Sequence, residues 1–279
     1  MNLIKYIFLS IIIYLVIYFT VYYSPKKSLD DFQADICGTT SYTTASIYFQ
    51  KEDTLTISID FIFFVDSLNE EIDLTKCQEA INIFNDFTKA GRIKAIRRDI
   101  NIVVNSEYKK DMPSFIKHGI ELARPKAITC LIYGSEQNNF PDDLKNISGI
   151  AKGISSTIFA IRTRKDNLHT FSNITFAHEL CHTIGLWHVD TPDPTDGYNI
   201  CQGDKVSDTP SEIDLHQKID CNCKYIGNRP IKKTKIKNLT NNLMSWSKDS
   251  CRILLTEGQF DRARYEIHNN YDLRACLVK

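Results

Sequence analysis

Residues 178–188 read H-E-L-C-H-T-I-G-L-W-H and fit the pattern H-E-x-x-H-x-x-G-x-x-H at every fixed position. On a helix, His178 and His182 stand one turn apart on the same face, so both imidazoles can reach one metal ion. Gly185 can take the left-handed conformation that ends a helix and turns the chain, which brings His188 back as a third ligand. Three protein nitrogens leave one of zinc's four tetrahedral positions open for water, as in a catalytic rather than a structural zinc site. Glu179, beside the first ligand, is the predicted general base.

The composition around this motif is that of a globular protein with a sizeable core. The chain has 279 residues, of which 43% are hydrophobic and 24% are charged. This length suits one large or two small folded units. Lys plus Arg equals Asp plus Glu at 34 each, so no global field attracts nucleic acid, and we expect no nucleic-acid partner. The basic run at residues 232–237 is predicted to be a solvated loop rather than a phosphate-binding patch.

The first 28 residues differ from the rest and are predicted to be a transmembrane anchor or a signal segment. Residues 6–23 carry no charge and are mostly aliphatic or aromatic, and as a helix they nearly span a hydrocarbon core of about 30 Å. The distal end, Tyr22-Tyr23-Ser24-Pro25, lacks a small-x-small cleavage site, which favours an uncleaved anchor. Either interpretation predicts a membrane partner and an extracytoplasmic location for the remainder. Residues 29–53 are interpreted as a pro-segment or N-terminal extension.

Nine cysteines also favour an oxidising compartment. Four of them lie in a loop-rich region after the zinc motif and predict two disulfides: Cys201, Cys221, Cys223 and Cys251. Spacing does not decide between the three pairings of these four. Three others fall in apolar patterns and are expected to be buried thiols: Cys77, Cys130 and Cys181.

The periodicity from residue 54 onward predicts an α+β fold with a twisted mixed sheet and the zinc helix packed against it. Strands are predicted at 54–65, 99–105, 127–134 and 157–162. Helices are predicted after Asp73, near Pro113, from Ser172, and over 256–270, the last opened by the capping pair Thr256 and Gln259. The first helix should end at Gly91 and bury one face: Leu74, Cys77, Ile81, Phe84 and Phe87. Residues 190–230, rich in Pro, Asp, Gly and Cys, are expected to be irregular.

Three further stretches give the chain a resemblance to a known family. Asn242-Leu243-Met244-Ser245 is similar to the Met-turn that gives the metzincin clan of zinc proteases its name. The segments C-Q-G-D-K-V-S-D-T-P at 201–210 and L-T-E-G-Q at 255–259, the latter after Cys251, resemble segments flanking that turn in pappalysin-like peptidases. The resemblance covers about residues 37–269. It implies a metzincin catalytic domain at 54–279, with a five-stranded sheet in an upper subdomain (54–188) and an irregular, disulfide-bonded lower subdomain (189–279).

The resemblance also implies an activity: zinc-dependent hydrolysis of peptide bonds in protein or peptide substrates. Zn2+ held by the three histidines would activate a water molecule and polarise the scissile carbonyl, with Glu179 moving the proton. Met244 would form an apolar floor under the metal. Trp246 stands where the family commonly has a Tyr whose hydroxyl stabilises the oxyanion. An indole N–H can still donate there, so an altered activity or substrate range is expected.

The resemblance implies two further features, a calcium site and a latency switch, and the sequence also allows one alternative function. Asp204, Asp208 and Thr209 resemble a calcium-binding loop of the family, and their oxygens suit Ca2+. Cys37 resembles an N-terminal cysteine that keeps some members latent by ligating zinc; its alternatives are a disulfide with a partner such as Cys276, or a free thiol. The alternative function is a membrane-anchored, zinc-containing surface module for binding or adhesion with little catalytic activity.

Overall fold

The computed structural model describes residues 53–65, 72–104, 112–134, 148–163, 171–190, 214–228 and 231–278, together with 204, 206, 208–210 and 212. The predicted anchor or signal at 1–28, nearly all of the predicted pro-segment at 29–53, Cys37 and Cys201 therefore lie outside the described residues. Within the described ranges, no helix has the length and apolar character needed to cross a membrane.

Five strands form one mixed sheet in the order β2-β1-β3-β5-β4. They are β1 (Leu55–Val65), β2 (Ile93–Val104), β3 (Ile128–Tyr133), β4 (Gly149–Ala151) and β5 (Ile158–Arg162). The pairs β1–β2, β1–β3 and β3–β5 are parallel, whereas β4 runs antiparallel to β5 at one edge. The strands β1, β3 and most of β5 are buried, because parallel strands are covered by helices on both faces.

Six α-helices accompany the sheet in the described residues: α1 (Thr75–Thr88), α2 (Met112–Leu122), α3 (Asn173–Thr183), α4 (Lys233–Thr240), α5 (Glu257–Asn269) and α6 (Tyr271–Ala275). The alternation of side chains along β1 divides the core into two apolar layers. Phe61 points into the larger layer, which contains residues of α1 and α3, and Phe64 into the smaller one, where it meets Phe115 of α2. The mixed sheet with flanking helices confirms the predicted α+β fold.

The residues after the zinc motif join the larger apolar layer through side chains such as Leu243 and Ile267, and specific polar contacts and a disulfide hold them further. Thr256 and Gln259 form the predicted capping box at the start of α5. The carboxylate of Asp208 accepts bonds from Thr256 Oγ1 at 2.7 Å and from the Gly258 amide at 2.9 Å, so it also caps this helix. Arg264 of α5 donates to the carbonyl of Gly91 at 3.1 Å. These bonds attach helix α5 both to the loop at Asp208 and to the turn at Gly91 between α1 and β2.

Two element predictions were wrong, and one strand was missed. Strand β2 begins at Ile93 rather than at residue 99, because pairing of Leu55 with Ile93 continues the ladder through a basic stretch that an edge strand tolerates. Strand β4 was not predicted, since three residues are too few to show a period and only pairing with β5 makes them a strand. The predicted loop at 232–237 lies largely in helix α4, which is anchored by the fully buried Leu239.

Two details of the first helix also differ. Leu74 is 43% exposed instead of facing the core, because the helix begins only at Thr75, whose amide binds the side chain of Asp73 at 3.0 Å. At the other end the left-handed residue is Arg92, with φ 52°, rather than Gly91. Gly91 is needed for another reason: a Cβ there would lie 2.5 Å from the Phe260 ring of α5.

Candidate metal centre and active site

Helix α3 carries the first half of the motif. Its predicted N-cap is confirmed, because Ser172 Oγ accepts the Thr175 amide at 3.1 Å. Phe176 faces the sheet and stacks on Phe61 at 5.7 Å between ring centroids, with Phe159 edge-on at 5.4 Å. Packing on that side fixes the rotation of α3 and leaves its two histidines on the side of the lower loops.

The turn that returns the third histidine depends on Gly185. Its φ is 101°, a region that favours glycine, and a Cβ there would lie 2.2 Å from Glu266 Cγ of α5. The turn is closed by bonds from the Gly185 amide to the His182 carbonyl and from the Leu186 amide to the Cys181 carbonyl, both 3.0 Å. Its outer side is fixed by Arg262 Nε, which donates to the Gly185 carbonyl at 2.6 Å.

The three motif histidines converge on one point. The Nε2 atoms of His178 and His182 are 3.2 Å apart, and each lies 2.9 Å from Nε2 of His188. Three nitrogens about 2.0–2.1 Å from a tetrahedral zinc would be about 3.3 Å from one another. Among the described residues, this triad is the one cluster of three or more His, Cys, Asp or Glu side chains suited to a metal.

Hydrogen bonds at Nδ1 fix the tautomers of two motif histidines. His178 Nδ1 lies 2.8 Å from the Leu243 carbonyl, and His182 Nδ1 lies 2.7 Å from the Leu186 carbonyl. A carbonyl only accepts, so both Nδ1 atoms carry the proton and both Nε2 atoms present lone pairs. Lone pairs facing each other at 3.2 Å repel unless a cation lies between them. The donor set therefore fits a zinc ion.

Burial keeps the ligands neutral. It lowers the pKa of His178 well below its ordinary value, that of His182 to about 4 and that of His188 to about 3. The neighbouring His182 imidazole and the Arg252 guanidinium lower the pKa of His188 further. Metal binding requires neutral imidazoles, so the site is ready for a cation at neutral pH without prior deprotonation.

Glu179 lies between the zinc helix and the edge strand β4. Burial raises the pKa of its carboxyl to about 8, while the Ala151 amide, which donates to it, and Arg252 oppose that rise. Gly149 makes room for the side chain, since a Cβ there would lie 2.7 Å from Glu179 Cγ. The carboxylate next to the first metal ligand is thus held in position by the backbone of β4.

The predicted Met-turn passes directly beneath the triad. Asn242 is fully buried and its Oδ1 accepts the Met244 amide at 2.9 Å, which closes the turn. The Met244 carbonyl accepts the amide of Val189, next to the third ligand, at 3.1 Å. The adjacent carbonyl of Leu243 holds His178 in its tautomer, and the Met244 side chain is fully buried.

Trp246 lies on the open side of the site. Its indole Nε1 donates towards His188 Nε2 at 3.1 Å, and 57% of the residue is exposed. The ring stands edge-on to the His188 imidazole at 5.2 Å between centroids. The exposed tryptophan therefore directs a hydrogen-bond donor at the point where the metal-binding nitrogens meet.

Two charged residues close to the site were missed from the sequence. The Asp190 carboxylate accepts the backbone amide of Trp246, and its pKa is raised to about 6 by burial. Arg252 Nε donates to the Ser247 carbonyl at 2.8 Å, just beyond the Met-turn. Neither belongs to a motif, and only their position after the last ligand and after the Met-turn could have drawn attention to them.

The residues of the calcium prediction lie in two separate contacts. Asp204 is buried, and its oxygens accept Thr209 Oγ1 at 2.5 Å and the Val206 amide at 3.1 Å. Asp208 instead binds the start of α5, as described above. Calcium binding remains a prediction.

The cysteines follow the prediction in part. Cys223 and Cys251 form a disulfide with a Cα–Cα distance of 5.4 Å. The prediction of a second disulfide among the four was wrong for Cys221, which is an exposed free thiol on the turn before Cys223. Cys276 is a buried free thiol whose Sγ donates to the Asp272 carbonyl at 3.2 Å. Three further thiols are buried, as expected: Cys77, Cys130 and Cys181.

Comparison with known proteins identifies relatives by structure alone. No family model matches the sequence, and no curated protein matches it either. Mature mirolysin of Tannerella forsythia, solved in complex with a cleaved peptide, superposes with a TM-score of 0.58 at 16% identity, covering 81% of this chain and 97% of mirolysin. A mutant of Tannerella forsythia promirolysin gives a TM-score of 0.57 at 14% identity, covering 91% of this chain and 93% of the other.

Metalloproteinase-II from Bacteroides fragilis matches only partially, with a TM-score of 0.32 at 17% identity over 50% of this chain and 44% of the other. The mirolysin similarity rests on nearly the whole length of that protein, so it concerns the fold as a unit. At such low identity it establishes the fold and no more. The chain therefore has the metzincin-like, α+β fold of the metallopeptidase mirolysin.

Proposed function

We propose that this protein is a zinc-dependent metalloendopeptidase that hydrolyses peptide bonds in protein substrates, of the pappalysin-like type. The observation that carries the proposal is the convergence of three neutral imidazole nitrogens within 2.9–3.2 Å beside a buried carboxylate. A closed structural site would use a fourth protein ligand, whereas three ligands leave a position for water. The mirolysin-like fold supports the same class of chemistry.

The residues divide the work of hydrolysis between them. Bound zinc would supply Lewis acidity, which polarises the scissile carbonyl and makes a water molecule nucleophilic near neutral pH. A bound zinc cation would favour the ionised form of the nearby Glu179, which takes the proton of the attacking water and delivers it to the departing amine nitrogen. The Ala151 amide keeps that carboxylate in place, and Gly149 allows it to lie against the strand.

The edge strand β4 supplies a place for an extended substrate. Bonds from the Arg162 amide to the Ser148 carbonyl and from the Lys152 amide to the Ile158 carbonyl show that alternate residues of this segment pair with β5. The backbone groups of Gly149 and the carbonyl of Ala151 therefore point away from β5, whereas the Ala151 amide donates to Glu179. In the described part of the sheet, a peptide can add beside β4 as a further strand, next to Glu179. Mirolysin was solved with a cleaved peptide, which fits such a role for this fold.

Trp246 is proposed to stabilise the oxyanion. Its indole N–H already points at the meeting point of the three ligands, at 3.1 Å from His188 Nε2. When that lone pair binds zinc, the donor is available to an oxygen on the open side of the metal. Trp246→Phe keeps an aromatic ring and removes the donor, so it should lower kcat about 10- to 100-fold with little change in KM, measured by peptide cleavage.

The test of the proposed function is Glu179→Ala in the full-length protein, with casein or gelatin as substrate. We expect a loss of cleavage of at least about 100-fold while zinc remains bound, because Glu179 is not a ligand. Chelation of the metal should abolish wild-type cleavage, and added Zn2+ should restore it. Cleavage that survives both the substitution and chelation would refute the proposal.

The second candidate is a membrane-anchored, zinc-containing surface module for binding or adhesion. The exposure of Trp246 beside the metal site favours it, because an exposed aromatic residue is a common contact in binding surfaces. The same Glu179→Ala experiment separates the two, since a binding module would show zinc without zinc-dependent cleavage.

Three further proposals concern the N-terminal 53 residues and a bound calcium ion. We propose that residues 1–28 place the protein at a membrane with its catalytic part extracytoplasmic, which fractionation with protease protection tests. A pro-segment at 29–53 with Cys37 as a zinc-ligating latency switch predicts a more active Cys37→Ala protein. Calcium at Asp204, Asp208 and Thr209 predicts a Tm that rises with added Ca2+ in the wild type but not in Asp208→Asn.

A further inference from the structure

The segment after the Met-turn follows the zinc helix. At one end, the Leu243 carbonyl accepts Nδ1 of the ligand His178 at 2.8 Å. At the other, Asp249 Oδ2 accepts Oγ of the N-cap residue Ser172 at 3.0 Å. His178 and Ser172 are about 9 Å apart along the helix axis. Residues 243–249 therefore form a wall beside the metal ligands along the first turns of α3.

Arg252 folds back onto this wall. Its Nε donates to the Ser247 carbonyl at 2.8 Å, in the middle of the segment. The neighbouring Cys251 is fully buried and joined to Cys223, so the backbone from which the arginine projects is fixed. Only 15% of the Arg252 side chain is exposed. The guanidinium is thus held in one place rather than moving freely at the surface.

Among the described residues, the terminal nitrogens of this guanidinium have one long ion pair and no hydrogen bond. Nη1 lies 3.7 Å from Asp249 Oδ1, beyond hydrogen-bond distance, and neither terminal nitrogen makes a hydrogen bond to any residue that the structure describes. Burial also lowers the pKa of Arg252. A buried guanidinium is stabilised best by a planar, bidentate carboxylate, and Asp249, which also binds Ser172, does not provide that contact.

The charge of Arg252 is directed at the reaction centre. It is one cause of the lowered pKa of His178 and His188, and it opposes the rise in the pKa of Glu179. Its charged neighbours from every side are Glu179, Asp190, Asp249 and the zinc ligands. A fixed cation whose charge acts on the motif histidines and whose terminal nitrogens lack a hydrogen bond among the described residues attracts an anionic group of a bound peptide.

Building on the peptidase function proposed above, we propose that Arg252 is a specificity-determining residue that binds a substrate carboxylate close to the scissile bond. The carboxylate has two sources: an acidic side chain within a longer chain, or the C-terminal carboxylate of a short peptide. A role limited to holding the Ser247 loop would need only the Nε contact, and it would not discriminate between charged and neutral substrates.

The test uses the zinc-loaded, full-length protein and matched quenched-fluorescence peptides. One pair of peptide libraries differs by Glu or Gln at each position flanking the cleaved bond, and a second pair has a free or an amidated C-terminus a few residues after it. We expect kcat/KM to be at least about tenfold higher for one carboxylate-containing member, which corresponds to about 1.4 kcal/mol. The pair of libraries that shows this difference in kcat/KM identifies whether the bound carboxylate is an acidic side chain or the C-terminus.

Three variants assign the effect to this side chain. Arg252→Gln should bring the ratio close to one, and Arg252→Lys should keep part of it, because the charge remains without the planar fork. Lys248→Gln removes an exposed charge from the same loop and should leave the ratio unchanged.

Equal rates for both members of each pair in the wild type would overturn the inference, as would a preference that survives in Arg252→Gln. If no peptide is cleaved, the proposed peptidase function fails. The role of Arg252 is then tested by calorimetric measurement of the binding of the same peptides to zinc-loaded Glu179→Ala. Should Arg252→Gln not fold, the wild-type ratios and those of Arg252→Lys carry the test.

Discussion

The sheet half of the molecule and the loop half after the zinc motif share one apolar core but differ in the contacts added to it. In the sheet half, β1, β3 and β5 are almost entirely buried, and aromatic rings such as Phe61 and Phe176 pack within one continuous core. The loop half contributes fewer side chains to that core and adds a disulfide and the capping bonds of Asp208 and Thr256. The motif histidines lie where the halves meet: His178 and His182 belong to the first, and Met244, which holds the segment of His188, to the second.

This difference shows how side chains of a site can be held in fixed positions by an irregular segment. Apolar packing tolerates substitutions of similar volume, whereas each polar contact of the loop half depends on particular atoms. Four experiments test this contrast, and they follow in order of decreasing expected effect.

The largest effect is expected in the sheet half. Phe176→Ala removes a fully buried ring that packs on Phe61, Phe159 and Phe171, and should lower the free energy of unfolding by about 3–5 kcal/mol. Urea unfolding followed by circular dichroism measures it. Leu74→Ala, at an exposed position, should change it by less than about 0.5 kcal/mol. Similar values for both would show that the sheet core is not the main source of stability.

Loss of the disulfide comes next. Cys223 and Cys251 are 28 residues apart, and replacing both by Ser should lower the free energy of unfolding by about 3 kcal/mol, mostly by releasing the unfolded chain. Proteolysis should then start in the loop half, as seen by mass spectrometry of the first fragments. Cys221→Ser, at a free thiol, is the matched control and should behave as the wild type. First cuts within the described strands would contradict the contrast.

A smaller effect is expected from one cap. Thr256→Ala removes the side chain that accepts the Gln259 amide and donates to Asp208, and should destabilise the protein by about 1–2 kcal/mol. Thr256→Ser retains the hydroxyl and should restore most of the loss. If Ala and Ser variants have the same Tm, the cap does not stabilise the loop half.

Thiol labelling should distinguish the two halves without changing stability. Burial raises the pKa of Cys77, in the sheet half, to about 12, so this thiol is protonated and shielded near neutral pH. The exposed thiol of Cys221 should react rapidly with maleimide, as mapped by peptide mass spectrometry. Rapid native labelling of Cys77 would show that the sheet half opens easily.

The sequence predicted the parts of the fold that repeat or have fixed spacing. The buried strand β1, helix α1, the N-cap of α3 and the capping box of α5 all follow from periodicity or from side chains that act on their own backbone. Elements that exist only through a partner were missed. Strand β4 requires β5, and helix α4, in a basic run, requires the pocket that buries Leu239.

The cluster of His178, His182 and His188 was predictable from the sequence alone, because spacing on a helix and a glycine turn are local properties of the chain. The same stretches predicted the adjacent Glu179 and the Met-turn residue Met244. The surroundings of this cluster depend on the tertiary structure: the backbone carbonyls that fix two tautomers, the strand that holds Glu179, the indole of Trp246 at His188, and Arg252 at the segment after the Met-turn. The bond between His178 and the Leu243 carbonyl joins residues 65 positions apart, and no local pattern encodes the path that brings them together.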